Sequence, residues 1–167
     1  MAGVGNYLLV LSEREALVWV LEHKRMAFPI HRRSEVIGLS RGDRLLLYTT
    51  RGGLHNPTRD RGRVVGVAYA ASSVSILEPP VTIAGRDFGL GCRLTVGTLA
   101  SFPSGVELAP LVKELSVFPD PASWSARMRR PLVALPEADA ELLVAALRPD
   151  KVGPAIASYR ARLPQVA

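Results

Sequence analysis

Apolar residues follow two patterns along the chain, one typical of strands and the other typical of helices. Short β-prone runs predict buried strands at 6–11, 44–50, 63–70 and 91–96, with a less regular strand around 73–77. Apolar positions at helical spacing predict helices at 12–23, 108–115, 136–147 and 155–163. The first of these opens with Ser12 as its N-cap and Glu15 three residues later, which is a capping pattern.

Proline and glycine mark the boundaries between these elements. Phe28-Pro29 ends the first helical unit, and a basic loop is expected from there to Gly38. Pro79-Pro80 interrupts the chain, residues 118–125 are predicted as turns, and Gly66 indicates a bulge or a close backbone approach. The order of one strand, one helix, several strands and short helices predicts an α+β domain with a curled mixed sheet. A glycine-rich loop does not follow the first strand, which argues against a nucleotide-hydrolysing or dinucleotide-binding fold.

The composition is that of an ordinary globular domain. Of 167 residues, 48% are hydrophobic and 22% are charged, enough for one core of normal size. The start of the chain lacks the features of a secretory signal, and no apolar run approaches the ~18 residues of a membrane span. Cys92 is the single cysteine, which excludes an internal disulfide and a cysteine-based zinc cluster. We expect a soluble, cytoplasmic protein of one domain with no membrane partner.

Positive charge is concentrated in about a quarter of the chain, residues 23–63. Residues 23–63 hold ten Lys and Arg against three Asp and Glu, a net charge of +7; since the whole chain carries +6, the remainder sums to −1. Such segregation is what a polyanion-binding face needs, because each neutralised phosphate releases condensed counterions. An arginine-favouring, GC-rich genome would explain the number of arginines but not their clustering. The pattern favours nucleic acid as the partner.

Four motifs follow one another in a fixed order. They are Asn6-Tyr7-Leu8-Leu9-Val10 with the helix ending at His23, the Phe28-Pro29 step, Leu39-Ser40-Arg41-Gly42-Asp43 with its strand ending in Tyr48, and the stretch from Val117-Phe118 through Trp124-Ser125 to Leu135-Pro136-Glu137. Together they resemble the EVE domain, a PUA-like family related to the YTH domain. The resemblance covers about residues 6–147 and implies a PUA-like mixed β-barrel flanked by short helices over residues 1–148. Residues 149–167 lie outside it and are expected to form a helical C-terminal extension.

The resemblance also implies a pocket beside the end of the first strand, which in related domains holds one flipped and often methylated base of DNA or RNA. A flipped base needs a stacking surface, hydrogen-bonding groups for its edge and cations for the flanking phosphates. Tyr48 and Trp124 are the stacking candidates, and hydroxyl groups would meet the base edge. The residues expected to form the pocket are Ser12, Met26, Phe28, Tyr48, Thr49, Thr50, Trp124 and Ser125. Met26 stands where YTH domains and many EVE relatives have tryptophan, so the resemblance does not identify the modification.

Arginines supply the candidates for phosphate contacts. The expected set is Arg32, Arg33, Arg51, Arg59, Arg61, Arg63 and Arg127, the last of which forms a second basic cluster with Arg129 and Arg130. The spacing of His23, His31 and His55 matches no common metal motif, and we expect neither a metal nor another cofactor.

The function expected from these features is that of a non-catalytic nucleic-acid reader. Two alternatives stay open at this point. The basic face could bind an acidic protein instead, or the chain could resemble ASCH-type amidohydrolases that act on modified nucleosides. The enzymatic alternative would need a lysine or a carboxylate beside a Thr or Ser in the pocket.

Overall fold

The structure, a computed structural model, describes residues 4–51 and 61–163. Within these residues the strands are β1 (Asn6–Leu11), β2 (Arg25–Phe28), β3 (Arg44–Thr49), β4 (Arg63–Ala70), β5 (Ser75–Ile83), β6 (Arg86–Leu99), β7 (Val106–Glu107) and β8 (Leu132–Ala134). The helices are α1 (Arg14–His23), α2 (Arg33–Val36), α3 (Trp124–Arg127), α4 (Glu137–Ala146) and α5 (Val152–Arg160). Turns of 3₁₀ helix lie at Ile30–Arg32, Ala109–Glu114 and Pro121–Ser123.

The strands form one curled, half-barrel sheet in the order β2-β6-β4-β3-β1-β8, with β5 added beside β6 and β7 beside β4. β1 and β3 are parallel, whereas the other named strand pairs are antiparallel. The sheet is therefore mixed, and short helices flank it. The predicted α+β class with a curled mixed sheet and short helices is confirmed.

Both faces of the central strands are buried, which explains their continuous apolar runs. Successive side chains of a strand point to opposite faces. On β3, Leu45 and Leu47 enter a first core cluster with α1 and α5, whereas Leu46 and Tyr48 enter a second cluster with α4. A strand packed on one face only would alternate apolar and polar residues instead.

Gly66 allows β6 to approach β4 closely. A Cβ at this position would lie 2.6 Å from the carbonyl oxygen of Thr98, too close for any side chain to fit. The pairing of β4 with β3 also changes register here, since Leu47 faces Gly66 but Tyr48 faces Val64. The bulge and the close approach expected from the sequence are thus both present.

The turn before β3 depends on one buried carboxylate. Asp43 accepts hydrogen bonds from the amides of Ser40 and Gly5, each at 2.8 Å. Gly42 has φ +93°, a conformation that a residue with a Cβ adopts with strain, so glycine suits this position. The Gly-Asp motif therefore fixes the turn and presents Arg41 at its tip.

The C-terminal helix α5 is packed into the first core cluster. Ala155 and Tyr159 are buried there, and the Tyr159 hydroxyl donates to the carbonyl of Ala100 at 2.7 Å. Two polar contacts join this end of the chain to α1: Arg160 Nε to Glu22 Oε1, and Arg14 Nη1 to the carbonyl of Arg162, each at 2.7 Å. The helix predicted at 155–163 begins three residues earlier and ends at Arg160.

Several local predictions need correction. α1 begins after Glu13 and has no side-chain cap, so Ser12 is not its N-cap. The expected loop to Gly38 contains a 3₁₀ turn and α2, and residues 25–28 form a strand that the sequence did not reveal. β5 continues through Pro79-Pro80 by shifting its register between Ile76 and Val81, because the prolines cannot donate ladder hydrogen bonds.

Three further elements also differ from their predicted form. β6 has 14 residues where six were expected. The segment 108–115 is 3₁₀ rather than α-helical. The turns at 118–125 include a 3₁₀ turn and the start of α3.

Candidate functional site

A cavity of about 350 Å³ opens where β1 and β3 end. Because these strands are parallel, their carboxyl ends lie at the same edge of the sheet. Leu11 faces Thr49 in the register, and the amide of Thr50 donates to the carbonyl of Leu11 at 3.1 Å. Ser12 and Thr50 are thereby brought to the cavity edge side by side.

The walls of the cavity are largely apolar. They are formed by Val10 and Leu11 of β1, Ala16 and Val20 of α1, Met26 and Ala27 of β2, Ile83 and Ala84, Phe88 of β6, and by Pro29, Met128 and Pro131. Pro131 is held in place because its carbonyl accepts a hydrogen bond from the amide of Val10 at 2.9 Å. A volume of this size with apolar walls and a few polar groups is typical of small-ligand sites, which measure about 300–1,000 Å³.

The mouth of the cavity is strongly cationic. His31, Arg32, Arg86, Arg129 and Arg130 contribute to the lining, against a single carboxylate among the described lining residues, Glu13. Arg86 Nη1 lies 3.7 Å from Glu13 Oε1, and Arg32 Nη1 lies 3.1 Å from Glu35 Oε1. Arg129 and Arg130 are exposed and form no ion pair with a described acidic side chain. An anionic group at the mouth would therefore meet cations that are not already neutralised.

Phe88 is the aromatic residue among the described residues that line the cavity. Its ring is half-buried, and the guanidinium carbon of Arg86 lies 5.8 Å from the ring centroid. Sequence analysis missed both residues because it began this strand at Gly91. The signal that would have found them is the pair of alternating segments around Ala84-Gly85, which form a two-residue hairpin with Ile83 opposite Arg86.

The structure separates the residues expected in the base pocket into two groups. Ser12, Met26 and Thr50 line the cavity. Phe28 lies in the first core cluster with no exposed surface, and Tyr48 lies in the second with 2% exposed. Burial raises the pKa of the Tyr48 hydroxyl to about 12. Thr49 is also buried, and its hydroxyl is 3.5 Å from the carbonyl of Arg63.

Trp124 and Ser125 lie on α3 and do not contribute to the described cavity lining. The Trp124 ring packs edge-to-face on Phe118 with 5.8 Å between centroids, and it contacts the second core cluster. The segment that follows α3 does reach the cavity, with Met128 through Pro131. Trp124 thus anchors the start of a segment whose end forms one wall.

The residues expected to contact phosphates are dispersed. Arg32 lies at the cavity mouth. Four others are exposed but do not line the cavity: Arg33, Arg51, Arg61 and Arg127. Arg63 is half-buried on β4 opposite Glu107. Arg59 lies outside the described residues. The mouth instead includes Arg129 and Arg130 from the second basic cluster, together with Arg86.

Metal-binding and thiol chemistry find little support in the described part of the chain. Across residues 4–51 and 61–163, no three His, Cys, Asp or Glu side chains are grouped so as to hold a metal ion. Cys92 is buried on β6, and burial raises the pKa of its thiol to about 11, which disfavours the reactive thiolate. None of the described helices combines the length and apolar character that crossing a membrane requires.

Comparison with known proteins finds similarity in structure only. No family model matches the chain, and neither does any curated protein. Human THYN1, solved in complex with 5-methylcytosine-containing DNA, is 10% identical, with 84% of this chain and 96% of that chain covered and a TM-score of 0.56. The YTH domain of Zygosaccharomyces rouxii MRB1, solved with N6-methyladenosine RNA, is 13% identical, with 89% and 94% covered and a TM-score of 0.56. A protein of Pseudomonas putida is 15% identical, with 84% and 97% covered and a TM-score of 0.57. The chain therefore has the fold of THYN1 and of YTH domains.

Proposed function

We propose that this protein is a non-catalytic nucleic-acid reader of the EVE type, which holds a single flipped, methylated base of DNA or RNA in the cavity. The observation that carries the proposal is the cavity itself, with apolar walls, hydroxyl groups at one edge and arginines around its mouth. The fold shared with THYN1 and the YTH domains supports it, since those proteins were solved with methylated DNA or RNA.

Each need of a flipped base has a matching group in the cavity. Phe88 and the polarisable Met26 offer surfaces for the base plane. Ser12 and Thr50 offer hydroxyls for its hydrogen-bonding edge. Arg129, Arg130 and Arg32 would contact the phosphates on either side of the extruded nucleotide. Phe28, Tyr48, Thr49 and Trp124 support the walls from the core in this arrangement.

Apolar walls favour a methyl group without requiring an aromatic cage. A methyl on cytosine C5 or adenine N6 adds no charge, so its recognition rests on apolar burial rather than on a cation–π contact. Burying one such carbon contributes about 0.8 kcal/mol, which corresponds to a preference of about fourfold over the unmodified base. Additional preference would come from hydrogen bonds that orient the base.

The test is binding to oligonucleotide pairs that differ only in the modification. The panel contains single- and double-stranded DNA and RNA with one central 5-methylcytosine, 5-hydroxymethylcytosine or N6-methyladenine, each with its unmodified twin, at 50 and 200 mM salt. A preference of fourfold or more for one modified probe, kept at the higher salt, supports the reader. Equal affinity for every pair would show that only the basic surface acts, and absence of binding at 50 mM would refute the proposal in favour of an acidic protein partner.

One observation favours a second candidate, hydrolysis of an amide on a modified nucleoside. Glu13 lines the cavity beside Ser12 and Thr50, so a carboxylate and two hydroxyls occupy one site. The carboxylate is also paired with Arg86. Incubation of the protein with N4-acetylcytidine, monitored by chromatography, tests this directly. Release of cytidine by the natural chain and its loss in Glu13→Gln would replace the reader by an enzyme.

A further inference from the structure

A second basic site lies on the surface at the other end of α1 and β2. It is an open depression of about 480 Å³ lined by His23, Lys24, Arg25, Arg41 and Arg93, with Ala71 and Leu94 at its floor. None of the described residues that line it is acidic. We call it the basic depression. Four permanent cations within one concave surface produce a strong positive potential.

Backbone hydrogen bonds from four segments hold these cations together. The amide of Leu94 donates to the carbonyl of Lys24 at 2.8 Å, and the amide of Ala71 donates to the carbonyl of Arg93 at 2.7 Å. The turn that carries Arg41 is joined to the end of β4 by the Gly42 amide, 2.8 Å from the carbonyl of Ala70. These bonds fix the backbone positions from which the cationic side chains extend.

Two features of the depression oppose folding. Arg25 and Arg93 face each other directly on the antiparallel strands β2 and β6, and like charges in such pairs are destabilising. Lys24 ends α1 with φ 53°, in the left-handed region where glycine is favoured because it lacks a Cβ. An anion bound between Arg25 and Arg93 would reduce their mutual repulsion, and Lys24 lies at the edge of the same depression.

Trp19 positions two of the side chains that line the depression. The His23 ring stacks on the indole with 4.8 Å between centroids and 20° between planes, and the guanidinium carbon of Arg25 lies 5.7 Å from the Trp19 centroid. Because these groups are already ordered, an anion that binds there loses less conformational entropy in fixing them.

We propose that the basic depression binds backbone phosphates of the same nucleic-acid strand whose base enters the cavity; the inference rests on the proposed reader function. The two sites adjoin at Val20 and His23 on α1 and at Met26 and Arg25 on β2. From Ser12, at the hydroxyl edge of the cavity, α1 spans about 15 Å to His23, which corresponds to roughly four to five nucleotides at about 3.4 Å each. The binding footprint is thus longer than the cavity alone requires.

The test compares Arg41→Ala/Arg93→Ala with the control Lys113→Ala/Arg148→Ala, which removes two exposed cations that line neither site. Probes are single-stranded decamers and trinucleotides with one central 5-methylcytosine (DNA) or N6-methyladenosine (RNA). The salt slope is the slope of log affinity against log salt concentration. For the decamer, loss of two phosphate contacts reduces the magnitude of this slope by about 1.4. When salt is raised from 50 to 200 mM, the affinity of the variant therefore falls by a factor about sevenfold smaller than that of the natural chain. The trinucleotide is too short to reach the depression, and its slope stays unchanged.

The outcomes separate this inference from the reader function. A decamer slope equal to that of the control overturns the inference, even if the modified base is still preferred. A reduced slope without any base preference supports the depression and refutes the reader. The inference is also overturned if the variant loses binding of tripolyphosphate but keeps its affinity for the decamer. In that case the depression binds free phosphates and not the nucleic-acid strand. Absence of decamer binding by the natural chain overturns the inference, whereas the reader function is decided by the full panel of single- and double-stranded probes.

Discussion

The cavity lies along α1 from its start to Val20, the basic depression lies at its end, and the two differ in how they relate to the fold. The cavity is walled by residues that also belong to the core, such as Leu11, Val20 and Met26. The depression is lined by cations, two of which face each other across a strand pair while a third occupies a left-handed backbone position. The cavity walls therefore stabilise the fold, whereas the depression opposes it.

This difference assigns distinct kinds of recognition to the two regions. A cavity with apolar walls that belong to the core distinguishes shapes at the scale of a methyl group, because close-packed walls do not readily follow a different ligand. An open surface of cations responds to phosphate density and is insensitive to base identity. In the proposed reader, the first region would supply specificity and the second would supply salt-dependent affinity.

The largest expected effect concerns the turn that presents Arg41. In Asp43→Ala, the amides of Gly5 and Ser40 lose their shared acceptor, so we expect unfolding to become easier by about 2–4 kcal/mol. Thermal unfolding followed by circular dichroism should show a Tm lower by roughly 5–15 °C. Asp43→Asn keeps one acceptor oxygen and should lose less. The preference for a modified base, measured below the transition, should survive; its loss would mean that the two regions are coupled.

Removal of the aromatic ring at the cavity should be next in size. If the base stacks on Phe88, Phe88→Ala loses about 1–3 kcal/mol of binding, a decrease of tenfold or more for the preferred probe. The matched control is Phe102→Ala, since Phe102 is another half-buried phenylalanine with an arginine, Arg162, over its ring. Fluorescence anisotropy would measure the affinity of both variants for the preferred probe. An equal loss of affinity in the two variants would show that Phe88 does not contact the base.

A smaller effect is expected from a single hydroxyl at the cavity edge. Thr50→Val keeps the shape of the side chain but deletes a hydrogen bond worth about 1 kcal/mol, so affinity for the preferred probe should fall by about fivefold. The neighbouring Thr49→Val removes a hydroxyl that points to the carbonyl of Arg63 within the sheet. It should change Tm and leave affinity for the probe intact. The reverse result would transfer the recognition role from Thr50 to Thr49.

The smallest expected effect is a gain in stability that accompanies a loss of binding. Lys24 has a left-handed backbone, which is unfavourable for a residue with a Cβ. Lys24→Gly should therefore stabilise the fold by about 1 kcal/mol and raise Tm by about 2–4 °C. The same change removes a cation from the depression and should weaken decamer binding. Lys24→Arg keeps the charge and should preserve affinity without the gain in Tm. A variant that gains stability at no loss of affinity would show that the lysine has no role in binding.

Much of the fold could be predicted because its signals are local. Leu45, Leu46 and Leu47 form a run that only a doubly buried strand explains, and the structure places them in the centre of the sheet. The helix predicted at 136–147 is α4 with its bounds shifted by one residue at each end. β2 was missed because its four residues are held as a strand by β6, about 65 positions later in the chain. No local pattern carries that information.

The residues of the candidate site also divide into those that local sequence predicts and those that long-range contacts place. Ser12 and Thr50 could be named because each lies at the end of a strand predicted from its own sequence, whereas the parallel pairing of β1 and β3 that brings these ends together is a long-range contact. Tyr48 and Trp124 were expected to face the ligand, yet packing against the second core cluster determines the direction of both rings. Arg129 and Arg130 reach the mouth through β8 pairing with β1, a long-range contact that charge counting along the chain does not detect.

The way the cavity is assembled has a consequence for synthesis on the ribosome. Its lining begins at Val10 and ends at Pro131, and β1 acquires its partner β8 only from residues 132–134. The cationic segment 23–63 emerges from the exit tunnel long before this wall exists. A nascent chain can therefore attract polyanions by charge before residues 128–134 complete the wall that makes the cavity selective.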